Sequence, residues 1–440
     1  MVRFYSAVLT LALASSALAA TDSSSHGGPP PPKNPWLVKN GNTCRVVAKG
    51  AGRDDGPTIL DAFSECGKNS KIQLDGYYVV NTLLKTIGLD NVQIELSGTI
   101  QYTPNIAYWS PNSFFLTYQN ATTFWLLGGK QLHLYGGGTI DGNGQVWYDT
   151  LASSDDTGTA GGSSTTFARP VPLTIYNSTN VLVENINQIN SPFWNNFVIG
   201  SSFVEYRNIT IVAKSFSSAP AANSDGWDIY RSDHVTIIDS NITNDDDCVS
   251  FKPNSTNILV SNLNCNGSHG ISVGSLGQFA GETDIVENVV AENIVMANAQ
   301  NGARIKVFGG NPSPTSTAGG GTGFVRNITF RNFHVENVDN PILINQCYET
   351  AAATCLQFPS QLTISDVHYE HVFGTASVNE KGVVVSIQCS QICQDITATQ
   401  TDLTAPAPFP ATYLCENVAS AKQIDFPCTN STTPVAARSI

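Results

Sequence analysis

Charge is scarce in this sequence. Only 13% of its 440 residues are Asp, Glu, Lys or Arg, against about 25% in an ordinary globular domain. Water-facing cover must therefore come largely from Asn, Ser, Thr and Gly. Cations are the scarcer sign, with 22 Lys and Arg against 35 Asp and Glu and a formal net charge of −13. Such a chain repels nucleic acid and anionic membranes, so neither is expected as a partner. Long apolar runs are missing too. Past the first 20 residues nothing approaches the roughly 20 apolar residues of a spanning helix. Helical periodicity is confined to one good candidate near residue 60, and the chain beyond it is mostly strand-like.

What is present begins with an export signal. "MVRFYSAVLTLALASSALAA" places one cation, Arg3, before an apolar stretch ending in small residues, with Ala17-Leu18-Ala19 as the cleavage site. Residues 1–19 read as a signal peptide, and 20–39, with "TDSSSHGGPPPPKNP", as a linker or N-terminal tail. Removing Arg3 leaves 22 − 1 = 21 cations, so the mature charge is 21 − 35 = −14. The mature protein is expected to be secreted and extracellular. Ten cysteines in an exported chain suggest disulfides. Pairing sequence neighbours gives Cys44–Cys66, Cys248–Cys265, Cys347–Cys355, Cys389–Cys393 and Cys415–Cys428, one hypothesis among the possible connectivities. Asn-x-Ser/Thr sequons at Asn120, Asn177, Asn208, Asn241, Asn254, Asn266, Asn327 and Asn430 are candidate glycan sites of a eukaryotic host.

The helix candidate is "DDGPTILDAFSECGKN". Asp54 or Asp55 can cap it, Pro57 suits its first turn, Ile59, Leu60, Phe63 and Cys66 recur at helical spacing, and Gly67 can end it. From about residue 170 one phrase returns: "NVLVEN" at 180, "NITIV" at 208, "HVTIIDS" at 234, "NILVSN" at 257, "NVVAEN" at 288, "NITFRN" at 327 and "LTISDV" at 362. Each alternates apolar and polar residues as a half-buried strand does. Most of the intervals are shorter than a propeller blade's roughly 40 to 45 residues and suit the coils of a solenoid. The expected fold is all-β, a single right-handed parallel β-helix over residues 40–428. The helix near 60 caps its N-terminal end, and 429–440 form a C-terminal tail. A β-sandwich is the alternative, but it gives no reason for one phrase to recur at this spacing.

Four polar clusters fall at the spacing of the phrase: "NSDGWD" (223–228), "NDDDC" (244–248), "GSHG" (267–270) and "ARIK" (303–306). Strands of neighbouring coils lie about 4.8 Å apart, so these clusters can form one patch. It would hold carboxylates, an imidazole and two cations, the set glycoside hydrolysis needs: an acid for the leaving oxygen and a carboxylate to activate water. Crowded carboxylates cannot all ionise, so one keeps a proton and can serve as that acid. Asp246 and Asp247 can share a site only if the backbone turns or bulges between them, since neighbours on a regular strand face opposite ways. Taken singly, the clusters have plainer readings. Three aspartates make a solvated turn or calcium ligands, though contiguous acids do not match the alternating ligands of a calcium loop. His269 alone reads as a turn residue, Arg304 and Lys306 as a surface pair, and Trp227 as core filling.

The ordered set Asn223-Ser224-Asp225, Asp246-Asp247, Ser268-His269-Gly270 and Arg304-Ile305-Lys306 resembles the polygalacturonases, glycoside hydrolases of family 28 that cut the galacturonan of pectin. That group is similar in Asn-Thr-Asp, Asp-Asp, Gly-His-Gly and Arg-Ile-Lys. The departures are Ser224 for Thr, Asp245 where Gly or Gln is commoner, and Ser268 for the first Gly. Wider stretches such as "NSDGWDIYRSD" and "GSHGISVGSLGQ" resemble the fungal exo-acting branch. The resemblance implies a right-handed parallel β-helix and inverting hydrolysis of α-1,4 bonds that releases galacturonic acid from chain ends, with no metal and no cofactor. It implies Asp246 as general acid, Asp225 and Asp247 as the pair holding the attacking water, and His269 as the group tuning the acid. Arg304 and Lys306 would grip a galacturonate carboxylate, and Tyr348 would touch substrate. The expected partner is polygalacturonate or pectin, met by a monomer.

Exo action requires a blocked groove, and the candidate walls are residues 149–170 and 308–323, long loops without periodicity. The rivals are an exo-hydrolase of rhamnogalacturonan or xylogalacturonan, an endo-polygalacturonase, a calcium-dependent pectate lyase and a non-catalytic β-helix.

Overall fold

A computed structural model describes residues 34–153, 168–419 and 421–430. The signal peptide, residues 20–33 of the linker, most of the 149–170 segment and all but the first two residues of the C-terminal tail lie outside the described residues. The strands stack in register as a right-handed parallel β-helix, every coil hydrogen-bonded to the next.

Two columns explain why the repeated phrase builds this stack. One is apolar: Val181, Val204, Val235, Ile258, Val289, Ile328, Val367 and Ile396 pair in succession. All are buried, and β-branched side chains suit such a pleated, packed face. The residue before each is in the left-handed region: Asn180, Phe203, His234, Asn257, Asn288, Asn327, Asp366 and Asp395. There the chain bends into its next side, and Asn is the residue type that tolerates this conformation best after Gly. The amides also bond between coils, with Asn327 Nδ2 donating to Asn288 Oδ1 at 2.8 Å and Asn288 Nδ2 to Asn257 Oδ1 at 3.0 Å. Stacked amides thus replace the missing charges as polar cover.

Helix α1, Gly56–Glu65, closes the N-terminal end of the core with Ile59, Ala62 and Phe63. Of the two candidate caps, Asp54 Oδ1 accepts the Gly56 N–H at 2.9 Å, whereas the Asp55 carboxylate takes the N–H groups of Lys49 and Val79. Gly67 does not end the helix through a left-handed turn. A side chain there would instead meet the Phe63 carbonyl at 2.8 Å.

Both boundaries expected from sequence need correction. Residues 37–39, counted in the linker, belong to the strand Leu37–Asn40 that pairs antiparallel with Thr43–Val46, and Thr429–Asn430, counted in the tail, pairs with Leu414–Cys415. Three short helices carry no sequence signal: α2 at Ile106–Asn112, α3 at Gln145–Ser153 and α4 at Ala352–Gln357.

The cysteines lie in five bonds, Cys44–Cys66, Cys248–Cys265, Cys347–Cys355, Cys389–Cys393 and Cys415–Cys428. Of the sequon asparagines, Asn120, Asn177, Asn208, Asn241, Asn266 and Asn327 are exposed and Asn254 is half-buried. The side chain of Asn430 lies outside the described residues.

Candidate active site

One side of the helix is built from the strands Asn196–Ile199, Trp227–Tyr230, Val249–Phe251, Ile271–Leu276, Asn301–Phe308 and Asn340–Tyr348. Alternation turns Trp227, Val249, Ile271, Ala303 and Ile342 into the core. Trp227 is therefore core filling, packed edge-on to Tyr206. The same alternation turns a paired row of Phe197, Asp228, Ser250, Ser272 and Arg304 outward.

The clusters meet at the leading ends of these strands. Gly226 N donates to Asp247 O at 2.9 Å, His269 N to Asp246 O at 2.8 Å, and Cys248 N to Gly270 O at 2.8 Å, so the turns stack as the strands do. Residues 244–248 are not a regular strand, since the chain bends at Asp246 and again at Cys248. The Cys248–Cys265 bond anchors that bend to the neighbouring coil. Asp246 and Asp247 thereby reach one site, as the acid pair requires. Two of the three departures from the family signature also make side-chain bonds of their own. Ser224 Oγ accepts the Asp245 N–H at 3.0 Å, and Ser268 Oγ donates to Asp246 O at 2.9 Å.

One carboxylate oxygen each from Asp225, Asp246 and Asp247 lies within 4.8 Å of the others. Their environments differ sharply. Asp225 is 2% exposed and Asp247 0%, while the side chains of Asp246 and His269 keep 15% exposure. Asp246 is thus the acid that reaches the groove. Its Oδ1 accepts the Asp247 N–H at 2.7 Å and lies 3.4 Å from His269 Nδ1; its Oδ2 accepts Asn223 Nδ2 at 3.2 Å. Asp247 is held by Ser272 Oγ and Lys306 Nζ, both at 2.6 Å, with Arg304 Nη1 at 3.7 Å. Arg304 and Lys306 in turn lie 5.4 and 5.6 Å from the Tyr348 ring centre. Every site residue read from sequence falls in this one neighbourhood, but Lys306 is bonded to Asp247 rather than free.

Proton affinities are pushed apart. Burial, with Asp228 and Asp246 nearby, drives Asp225 well above the ordinary carboxylate range. Burial also favours protonating Asp246, but His269, Lys306 and the Asp247 N–H outweigh it and hold this carboxyl low. His269 is raised: burial works against its charge, and Asp246 more than offsets that. For Asp247, burial is outweighed mainly by Lys306, so it too stays low. The shifts run against the sequence expectation for Asp246: the carboxyl whose surroundings favour a proton is Asp225, and beside Asp246 it is His269 that is favoured in its protonated form.

Three features escaped the sequence. Asp228 and Lys252 form a buried pair, Nζ to Oδ1 at 3.0 Å, beneath the Trp194 ring. Burial raises Asp228 to about 7 despite Lys252. Their spacing of one repeat was a usable signal. Arg169 reaches Asn223 from outside the repeats. Lastly, aromatic residues cover the outward row one coil before the acids. Phe197 points outward yet is 0% exposed, because Trp194 and Tyr118 lie over it at ring distances of 5.2 and 6.4 Å. Tyr118 also stacks on Tyr230 at 4.2 Å, and its neighbour Gln119 donates to Gln278 at 2.9 Å. Of the walls expected from the sequence, 149–170 lies mostly outside the described residues, and Thr315–Thr317 of the second lines a cavity beside Tyr118 and Tyr230.

A solenoid with an acid cluster, an imidazole and two cations on one face is the arrangement of a carbohydrate-active hydrolase. The chain belongs to the glycosyl hydrolases family 28, whose model matches residues 71–425. An exopolygalacturonase of Cochliobolus carbonum is 46% identical over 373 residues, 83% of this chain and 81% of that one. Exopolygalacturonase X of Aspergillus niger is 45% identical over 392 residues, 87% of this chain and 88% of that one. Among solved structures, an endo-xylogalacturonan hydrolase of Aspergillus tubingensis superposes with a TM-score of 0.78 at 30% identity, covering 89% of this chain and all of that one.

Proposed function

We propose that this protein is an exported, monomeric exopolygalacturonase that hydrolyses α-1,4 bonds at the ends of galacturonan and releases galacturonic acid. The relatives' activity supports the reaction. The observation that carries exo action is the sealed Phe197. It lies one coil, about 4.8 Å, before the coil of Asp225 and Asp228, leaving room beyond the acids for little more than a single sugar ring.

In this reading the polymer's carboxylates meet Arg304 and Lys306, the local positive spot an acidic protein needs for an acidic sugar. Bringing that anion in raises the proton affinity of Asp246, and the proton on His269 moves to it. Asp246 then gives the proton to the leaving oxygen as the bond from the anomeric carbon breaks. A water held between Asp225 and Asp247 attacks that carbon and yields its proton to Asp225, whose second oxygen, Oδ1, has no protein hydrogen-bond partner. Asp225 must be ionised for this, so activity rises with pH through its raised pKa. It falls again as the His269–Asp246 unit loses its proton, which Asp246 delays beyond the ordinary imidazole range. A bell-shaped pH profile follows.

The acids' spacing is nearer the retaining range, roughly 5–5.5 Å, than the roughly 6.5–9.5 Å usual for inversion. Inversion is preferred because Asp225 and Asp247 are buried while Asp246 is partly exposed, which suits a water between them and the sugar. Digestion of polygalacturonate, with products resolved by size and by anomer in the first minutes, tests the reading. Expected is the β-anomer of the monomer. A spread of oligomers means endo action, an α-anomer means retention, and faster release from xylogalacturonan moves the substrate. An absorbing unsaturated product, or loss of activity on chelation, means a lyase.

A further inference from the structure

Arg169 belongs to none of the repeats. It comes after the 154–167 segment and immediately precedes the Pro170–Val171 strand, yet its guanidinium is buried behind the acid cluster. Nη1 donates to Ala222 O at 2.7 Å and Pro192 O at 3.1 Å, and the group lies over the Phe193 ring at 5.0 Å. Nη2 donates to Asn223 Oδ1 at 2.6 Å. That bond settles how the Asn223 amide is turned, because guanidinium nitrogens only donate and must face an oxygen. The amide nitrogen is left to face Asp246 Oδ2, at 3.2 Å.

We propose that Arg169 is a positioning residue for the reaction, fixing Asp246 through Asn223 and keeping a permanent positive charge behind it. The inference rests on Asp246 being the general acid. With Oδ1 occupied by the Asp247 N–H and His269, the Arg169–Asn223 arm decides which oxygen carries the transferable proton. The geometry also has an electrostatic consequence. Burial lowers Arg169 to about 10, with Tyr148, Asp246 and Asp225 pulling the other way, so the group stays charged wherever the enzyme works. Facing Asp246 are His269, Lys306, Asp247, Asp225, Asp228, Asp245 and Tyr348. Of the cations behind the cluster, Arg169 alone acts on it through Asn223.

The test is the pH profile of kcat for Arg169→Met and Arg169→Lys. Without the positive charge Asp225 and Asp246 both bind protons more tightly, so both limbs of the bell move to higher pH, by about half a unit given the intervening amide. At its own optimum Arg169→Met is expected to lose roughly tenfold in kcat. Arg169→Lys keeps the charge but lacks the planar fork, so its kcat falls while the bell stays near its original place. If Arg169→Met folds, as thermal unfolding would show, and its bell does not move, Arg169 only ties loops together and the proposal fails. If Arg169→Met does not fold, Arg169→Lys decides: a bell that shifts with the charge retained also overturns it. Asp246→Asn separates the two readings. Activity surviving in Asp246→Asn sinks the acid assignment, whereas an inactive Asp246→Asn with an unmoved Arg169→Met bell sinks only the role of Arg169.

Discussion

Lys252 and Asp228 show how much a single buried charge can weigh. Their Nζ and Oδ1 atoms lie 3.0 Å apart, and the two side chains keep 6% and 0% exposure. Removing one partner from such a pair strands the other in a poorly solvated place, which typically costs roughly 3–5 kcal/mol. Lys252→Met is therefore expected to destabilise the fold by about 3 kcal/mol at pH 8 and by clearly less at pH 5, where Asp228 can take a proton. The double variant with Asp228→Asn should recover much of the loss. Urea unfolding at the two pH values checks this, and an equal loss at both would refute the account. Residues of this kind were only partly legible. Asp225, Asp246, Asp247 and His269 could be read because charges are few and these recur at coil spacing. Arg169 could not, since nothing near it in sequence marks a partner brought in from a distant loop.

At the scale of elements, the proposed exo action turns on the aromatic seal. Trp194 rises from the turn before the 196–199 strand, and Tyr118 comes from the Phe114–Thr123 stretch of an earlier coil, so the seal is assembled from segments far apart in sequence. Trp194→Ala is expected to cost about 3–5 kcal/mol of packing and to open the groove over Phe197. The first products should then include dimers and longer oligomers alongside galacturonate, with monomer release slowed. Chromatography early in digestion reads this directly; unchanged monomer-only release would mean that the block lies elsewhere.

The coils themselves were legible because one local rule, a left-handed residue, often Asn, followed by an inward aliphatic residue, recurs from coil to coil. Helix α1 was legible from its apolar spacing and Pro57. Helices α2, α3 and α4 were not: they are short, α2 contains Pro111, and packing against the solenoid rather than their own periodicity holds them. The aromatic cluster was not legible either: length and lack of periodicity marked loops 149–170 and 308–323, whereas Tyr118, Trp194 and Phe197 come together from segments far apart in sequence.

For the whole molecule, the opposed proton affinities predict a dome in stability against pH. Asp225 and Asp228 bind protons more tightly in the folded state than in the unfolded one, Asp228 with a pKa of about 7. Folding stability contributed by that difference is present below the ordinary value near 4 and lost as pH rises towards 7. Asp246 and Asp247 are depressed, so their contribution is present above about 4 and lost as pH falls below it. Thermal unfolding should be latest between about pH 4 and 6, and Asp228→Asn should flatten the neutral side. A Tm that climbs steadily to pH 8 would contradict the assignment.

The covalent cross-links span sequence separations of only 22, 17, 8, 4 and 13 residues. Each tightens a local bend or fastens one rung to its neighbour, and none reaches along the pile. Lengthwise cohesion rests mostly on hydrogen bonds and packing, with ion pairs such as Arg326–Glu287 and Arg331–Glu292 between adjacent rungs. Tension applied along the pile would therefore peel rungs away in sequence, each bridge merely withholding its own small loop from the extended thread.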